Sequence, residues 1–233
     1  NTTLICTSRW MSDQLLASGI SPAKIRHISN VVPSHYRFLD IQSSAQQLFD
    51  LPICKSEQKV LYFVGNPDNS RKGFDVLVKA IYSLPEAWRK KFVLQILGSR
   101  TTDIPALDNI GFSYKCLGFM SDDWSQVLAY NSADLLVCPS LFDNSPNVVA
   151  EAISCGLPVL AFENTGAAEL IQHGVTGLLA KYNSYESLAD CLRLFHRSDD
   201  KFDCQLISQL AGDVHSPDVI AASHIELYSS VLG

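Results

Sequence analysis

An α/β fold built on a parallel sheet is predicted from three observations. Short apolar, β-rich runs alternate with helical patterns along most of the chain. The runs are almost continuously apolar, as strands are when helices cover both faces. Loops rich in glycine and turn-forming residues follow two of these strands, at the sheet edge where open α/β folds bind ligands.

The elements can be justified in order. Thr3–Thr7 reads as a strand, Ser8–Ala17 as a helix and Lys24–Ser29 as a second strand, with Asn30-Val31-Val32-Pro33 a connector. So few elements cannot form a domain alone; they either cap the main domain or are the stump of a preceding one. Lys59–Val64, Phe92–Leu97, Asp134–Cys138 and Leu157–Phe162 are the clearest strands, with Tyr114–Leu117 and Gly177–Ala180 weaker. Phe74, Leu77, Val78 and Ile81 fall on one helical face. A helix is expected from about Asp122 to Asn131. Another should start with Ser145 as N-cap and Pro146 in the first turn, ending at Gly156 before Pro158. Helices are expected near 184–197, 200–211 and 217–231. There is no internal repeat or low-complexity tract.

With 233 residues and 47% hydrophobic composition the chain can bury a sizeable core, as one large domain or one domain and a piece of another. Only 18% of residues are charged, which argues against disorder. A formal net charge of −6 argues against a nucleic-acid binder but leaves room for a small phosphorylated ligand held by a local pair of cations. The cysteines at 6, 54, 116, 138, 155, 191 and 204 form no CxxC pair and read as reduced, mostly buried small hydrophobes. Zinc would want a clustered spacing that is absent. No apolar stretch reaches the ~18 residues of a membrane span, and the first residues do not resemble a signal peptide. The default location is cytoplasmic.

Three loops carry candidate chemistry. Gly65-Asn66-Pro67-Asp68-Asn69-Ser70-Arg71-Lys72-Gly73 places a guanidinium and an ammonium side by side at a strand's carboxyl end. The pair suits phosphate oxygens, or is an ordinary solvated basic pair; the segment alone does not choose. In Leu141 to Glu151, Asp143 precedes a helix and Glu151 sits about a turn and a half into it. Free N–H groups at that helix start form an anion site. The two acids could accept hydrogen bonds from a polyol, or Asp143 could simply favour the helix dipole and Glu151 be solvated; the spacing by itself leans to the second. Asn164-Thr165-Gly166-Ala167-Ala168-Glu169 suggests a tight turn before a short helix ending near His173-Gly174, and says little more.

Taken together and in order, these loops resemble the C-terminal domain of glycosyltransferase family 4, with the GT-B architecture. The match runs from about Lys59 to Leu192, with weaker similarity over nearly all the rest. The family's E-x7-E motif is represented by Asp143 and Glu151 within PSLFDNSPNVVAEAISCGLPVLAF. RKGFDVLVKA resembles its Lys-Gly loop, and LGFMSDDWSQVLAYNSADLLVCPS and TGAAELIQHGVTGLL match neighbouring blocks. The resemblance implies a Rossmann-like three-layer α/β/α sheet, the C-terminal half of a retaining glycosyltransferase that uses a UDP- or GDP-sugar. The acceptor implied is a saccharide or lipid-linked molecule of bacterial polysaccharide or lipopolysaccharide synthesis.

Position by position, Arg71 and Lys72 would hold the diphosphate and stabilise charge on the leaving nucleotide. Glu151 would bind the ribose hydroxyls and Asp143 the transferred sugar. Gly65 and Asn66 would line the donor site, with backbone amides of the Asn144–Val148 turn (Asn144, Ser145, Asn147 and Val148) facing sugar and distal phosphate. Gly98, Gly118, Phe119 and Met120 would lie beside base and ribose. No cofactor and no metal are implied. Three positions depart from the family: Asn66 where an arginine is usual, Asp143 in place of glutamate, and Thr165-Gly166 in place of paired glycines.

The resemblance also implies that residues 1–30 are the remnant of an N-terminal acceptor domain and the start of its linker. Residues 31–215 would be the donor domain, and residues 216–233 a helix crossing back. A partial chain of this kind is expected to bind donor weakly and transfer nothing alone, with any membrane association carried by the missing part. Other readings are another GT-B enzyme such as an epimerase or phosphorylase, and a non-catalytic sugar-nucleotide-binding module. A dinucleotide oxidoreductase is disfavoured, since no GxGxxG follows a strand.

Overall fold

The apolar runs pair as parallel strands in a computed structural model that describes residues 2–197 and 202–232. A first unit comprises β1 (Leu4–Cys6), α1 (Arg9–Ala17) and β2 (Ile25–His27), followed by α2 (Gln42–Leu48) in a long linker. The main sheet begins with β3 (Lys59–Val64), α3 (Phe74–Ser83), α4 (Glu86–Arg89) and β4 (Phe92–Leu97). It continues through α5 (Pro105–Asp108), β5 (Tyr114–Gly118), α6 (Asp123–Asn131) and β6 (Leu135–Cys138). Then come α7 (Asn147–Ser154), β7 (Val159–Phe162), β8 (Gly177–Ala180), α8 (Tyr185–Arg197), α9 (Cys204–His215) and α10 (Pro217–Leu232). The six strands lie in the order β5-β4-β3-β6-β7-β8, and every pairing is parallel.

The central strands β3, β4, β6 and β7 are almost wholly apolar because both their faces are covered. From β3, Leu61 and Phe63 point into a layer with Phe74, Leu77 and Ile81 of α3 and Leu188 and Leu192 of α8. Val60 and Tyr62 point the other way, towards Val127 and Tyr130 of α6, Val149 and Ile153 of α7, and Ile207 of α9. Each such large side chain taken from water contributes about 1.5–3 kcal/mol, so the sheet and its two helical layers form one structural unit. The buried exception, Gln95, is satisfied: its amide donates to the Ala129 carbonyl at 3.0 Å and its oxygen accepts from Ser132 at 2.8 Å.

Several sequence expectations shift. The helix expected to be capped by Ser145 starts at Asn147, with Pro146 in the cap position and no side-chain cap. Pro146 is extended, with φ −68° and ψ 120°, so the turn straightens one residue later than its type suggests. Asp134 stays outside its strand because its carboxylate accepts the Val60 N–H at 2.7 Å. The helix expected at 200–211 is Cys204–His215, capped by the Asp203 side chain; residues 200 and 201 fall outside the described set. The seven cysteines are free thiols, but only Cys6, Cys138 and Cys155 are buried. Cys54 is exposed, in the polar turn before β3.

The first unit packs on the main domain. β1 and β2 form a two-stranded parallel sheet, and Ile220 and Leu227 of α10 cover Ile28. The linker is stitched down by Val32 N–H to the His215 carbonyl at 2.9 Å and Leu39 N–H to Asn131 Oδ1 at 2.7 Å.

Gly73, between the first loop and α3, has φ +68°, and a Cβ there would lie 1.9 Å from the Pro139 carbonyl oxygen. The loops after β3 and β6 meet at this contact, so Gly73→Ala is expected to destabilise the chain by about 1–3 kcal/mol. A urea melt of the variant beside the parent checks this; an unchanged midpoint would mean the two loops can separate without cost.

Candidate functional site

The order of strands reverses between β3 and β6. From β3 the chain winds outward to β4 and β5, and from β6 it winds the opposite way to β7 and β8. Connections leaving in opposite directions open a crevice at the strands' carboxyl ends, the usual ligand position in such sheets. The first and second of the three candidate loops meet across it.

Within the first loop, Asn66 and Asn69 shape the backbone. Asn66 Oδ1 accepts the Asp68 N–H at 3.1 Å, and Asn69 caps a 3₁₀ turn at Ser70–Lys72 by accepting the Arg71 N–H at 3.1 Å. That turn aims Lys72 across the crevice, where its Nζ meets Asp143 Oδ2 at 2.8 Å. The two side chains are 20% and 16% exposed, so removing either leaves a largely desolvated charge without its partner. The Arg71 side chain stands exposed at the rim. The structure thus gives Asp143 a specific ionic partner, where spacing alone leaned towards a dipole effect.

Gly65, Gly98 and Gly118 end three adjacent strands and make a side-chain-free floor. Gly65 N–H donates to the Leu97 carbonyl at 2.8 Å and Gly98 N–H to the Gly118 carbonyl at 2.6 Å. Beyond Gly118, Phe119 is 70% exposed while Met120 packs against the core.

On the β6 side, α7 points its N-terminus at the crevice. Its first turn carries no acidic residue and no side-chain cap. Among the described residues the Asn147 and Val148 N–H groups have no acceptor, which leaves a concentration of positive potential. One turn on, half-buried Glu151 accepts a hydrogen bond at Oε2 from the Tyr130 hydroxyl at 2.7 Å. Burial pushes the Glu151 carboxyl above the ordinary range; the Tyr130 bond pulls it down, and the Asp123 charge pushes it up. Among the described residues no group of three or more His, Cys, Asp or Glu is placed to hold a metal ion.

The polar side chains of the second loop face the first unit more than the crevice. Asn144 donates to Thr7 Oγ1 at 2.9 Å and accepts from the Ser8 hydroxyl. Asn30 Nδ2 donates to the Ser145 carbonyl at 3.0 Å and to Asn147 Oδ1 at 2.8 Å. Trp10 packs edge-on against Phe142 with ring centroids 5.4 Å apart. The third loop backs the second so closely that a Cβ on Gly166 would lie 1.4 Å from the Asn144 carbonyl oxygen. Its Glu169 accepts from the Arg9 N–H at 2.7 Å and from the Trp10 N–H, capping α1. A cavity of about 460 Å³ lies between that loop and the first unit, lined by Thr7, Ser8, His27, Glu169 and His215.

Tyr130, Glu169 and Asn30 were not singled out from sequence. Tyr130 falls on the inner face of its helix, where periodicity reads it as core. Glu169 stood in a loop whose sequence says little, and Asn30 in a connector.

A doubly wound sheet with a half-buried lysine, an uncapped helix and a glycine floor at its reversal point defines an open α/β domain of the Rossmann-like kind. The family described as glycosyl transferases group 1 matches residues 58–197, more than half of the chain, and the chain belongs to that family. The lipopolysaccharide glucosyltransferase WaaG of Escherichia coli is 34% identical over 143 residues, which is 60% of this chain and 37% of WaaG. Anabaena HepE, solved in complex with UDP, superposes with a TM-score of 0.83 at 19% identity, over 98% of this chain and 64% of that one. The C-terminal domain of a group 1 glycosyltransferase from Francisella tularensis superposes at 0.60 with 19% identity, over 83% of this chain and 98% of that domain. The chain spans 35–42% of the length of the first curated relatives it matches.

The Glu169 contact generates a test of how the first unit is held. Glu169→Ala removes the acceptor for two α1 amides and is expected to cost about 0.5–2 kcal/mol. Hydrogen exchange should show the Arg9 and Trp10 amides losing protection while β3 and β4 keep theirs. Unchanged protection at both amides would show that the carboxylate does not anchor the helix.

Proposed function

We propose that this chain is the donor-binding part of a retaining glycosyltransferase. In this reading it takes a UDP- or GDP-sugar and passes the sugar to a saccharide or lipid-linked acceptor in bacterial polysaccharide or lipopolysaccharide synthesis. The observation that carries the reading is the crevice at the sheet reversal, where Lys72, Asp143 and the open end of α7 converge with Glu151 one turn away. That set matches a nucleotide diphosphate sugar in order: an acid for ribose hydroxyls, cations and N–H groups for the diphosphate, and a second acid for the sugar. The name of WaaG, a lipopolysaccharide glucosyltransferase, and the UDP and UDP-glucose complexes of HepE support the substrate class.

When the bond between the sugar's anomeric carbon and the diphosphate breaks, negative charge gathers on the distal phosphate. Lys72 and the Asn147 and Val148 N–H groups meet that charge in a partly water-excluded site, with Arg71 available from the rim. Asp143 holds the Lys72 ammonium by one of its three N–H donors and leaves the others for phosphate. Charge is met by side chains and a helix end, with no metal or cofactor required. The first 30 residues are read as the end of an acceptor domain and the start of its linker, residues 31–215 as the donor domain, and α10 as the helix crossing back. The acceptor site, the transfer activity and any membrane association belong to the remainder of a longer enzyme working at the inner face of the cytoplasmic membrane. Among the described residues no helix is long and apolar enough to cross a membrane.

Calorimetric titration with UDP, GDP and ADP tests the assignment. One nucleotide should saturate the chain, and Lys72→Ala should weaken it by about 1.5–3 kcal/mol through loss of a charge-assisted bond. Glu151→Ala should weaken it as well. Binding unaltered by both substitutions would place the nucleotide elsewhere and overturn the site.

A further inference from the structure

Glu151 sits in an unusual setting for a ligand-binding acid. Three tyrosines from three different elements surround it: Tyr36 from the linker, Tyr62 from β3 and Tyr130 from α6, at 7%, 0% and 1% exposure. The Tyr130 ring packs edge-on against Tyr62 at 5.3 Å and against Tyr36 at 6.1 Å, so its orientation is set from two sides. Its hydroxyl reaches Glu151 Oε2 at 2.7 Å. The Tyr62 hydroxyl is equally buried but has no hydrogen-bond partner among the described residues.

We propose that Tyr130 is the positioning residue for the donor site: its hydroxyl pins Oε2 of Glu151 and leaves Oε1 to receive the nucleotide's ribose hydroxyls. The proposal rests on the reading of Glu151 as a donor-site residue. A glutamate on a helix has three side-chain torsions, and without an anchor it would lose rotamer freedom each time a ligand bound. A phenol fixed by its own packing removes that freedom beforehand, and it does so from the protein side of the carboxylate, where it does not compete with the ligand.

The same bond keeps the carboxylate in its accepting form. Burial raises the Glu151 carboxyl, the Tyr130 hydroxyl opposes this by donating to the charged state, and Asp123 of α6 adds to the rise. The other groups facing it are Tyr36, Tyr62 and the Cys155 thiol just beyond α7. All three are themselves held neutral, by burial first and by the Glu151 charge second. With the Tyr130 hydroxyl deleted, Glu151 takes up a proton at higher pH. The protonated carboxyl is a poorer acceptor, so nucleotide affinity is lost as pH falls, and from a higher starting pH than in the parent.

The test uses the 233-residue chain with Tyr130→Phe, Tyr62→Phe and Glu151→Gln, each checked by thermal melting. Carbon-detected NMR titration of the Glu151 carboxyl is read without ligand, and UDP affinity is read against pH. Tyr130→Phe should move the carboxyl titration upward, weaken UDP roughly tenfold near neutrality, and shift the acid limb of binding in the same direction. Tyr62→Phe, which removes an equally buried but unbonded hydroxyl, should leave both readouts in place. The proposal fails if folded Tyr130→Phe titrates and binds like the parent, or if Tyr62→Phe shifts both readouts as far. A Glu151→Gln chain that binds UDP as tightly as the parent sinks the donor-site reading itself. Lost binding in Glu151→Gln with none lost in Tyr130→Phe sinks only the positioning role.

Discussion

The adjacency of β3 and β6 is the constraint on which the rest of the molecule turns. Two parallel strands lie side by side, yet the chain leaves one towards β4 and the other towards β7. Neither following helix can cover the gap between them, so backbone polar groups at their carboxyl ends stay accessible. Lys72 and Asp143 come from opposite sides of that gap and close it with one ion pair. A half-buried pair of this kind is weak evidence of stability, because desolvating the two charges offsets most of their attraction.

A second level of organisation joins the short β1–α1–β2 unit to the crevice. Thr7, Ser8, Trp10 and Asn30 all touch the loop that carries Asp143, and Glu169 returns the contact by capping α1. Most of these contacts are hydrogen bonds between small polar groups, and the aromatic pair is half open to solvent at Phe142. Such an interface is specific in geometry without being a hydrophobic core, in the manner of surfaces between domains of one chain.

Most of the main sheet was legible in sequence because its signal is local. A strand covered on both faces is apolar at nearly every position, so Lys59–Val64 and Phe92–Leu97 appear with the ends the structure has. The start of α6 was legible from the Asp122 side chain that caps it. Starts were misplaced at α7, which has no side-chain cap, and at α9, whose Asp203 cap lies beyond the expected start at 200. The residues at the crevice could be named from motif blocks, but their partners could not. That Asn144 would spend its amide on Thr7 and Ser8, or that Tyr130 would be bonded to Glu151 instead of merely packed, depends on contacts between segments far apart in the chain. The linker helix α2 was missed because its polar run Gln42–Leu48 buries only Ala45 and so lacks an apolar stripe.

The Asn144 amide has a consequence of its own. Both its ends are taken by the first unit, and four residues later the same backbone presents the unpaired Val148 N–H to the crevice. In the function proposed above, seating of the first unit and filling of the anion position therefore share one stretch of main chain. By reciprocity, whatever factor an anion adds to the docking of that unit, docking returns to the affinity for the anion. Gly166 fixes where that stretch sits, since no side chain could stand between it and the Asn144 carbonyl.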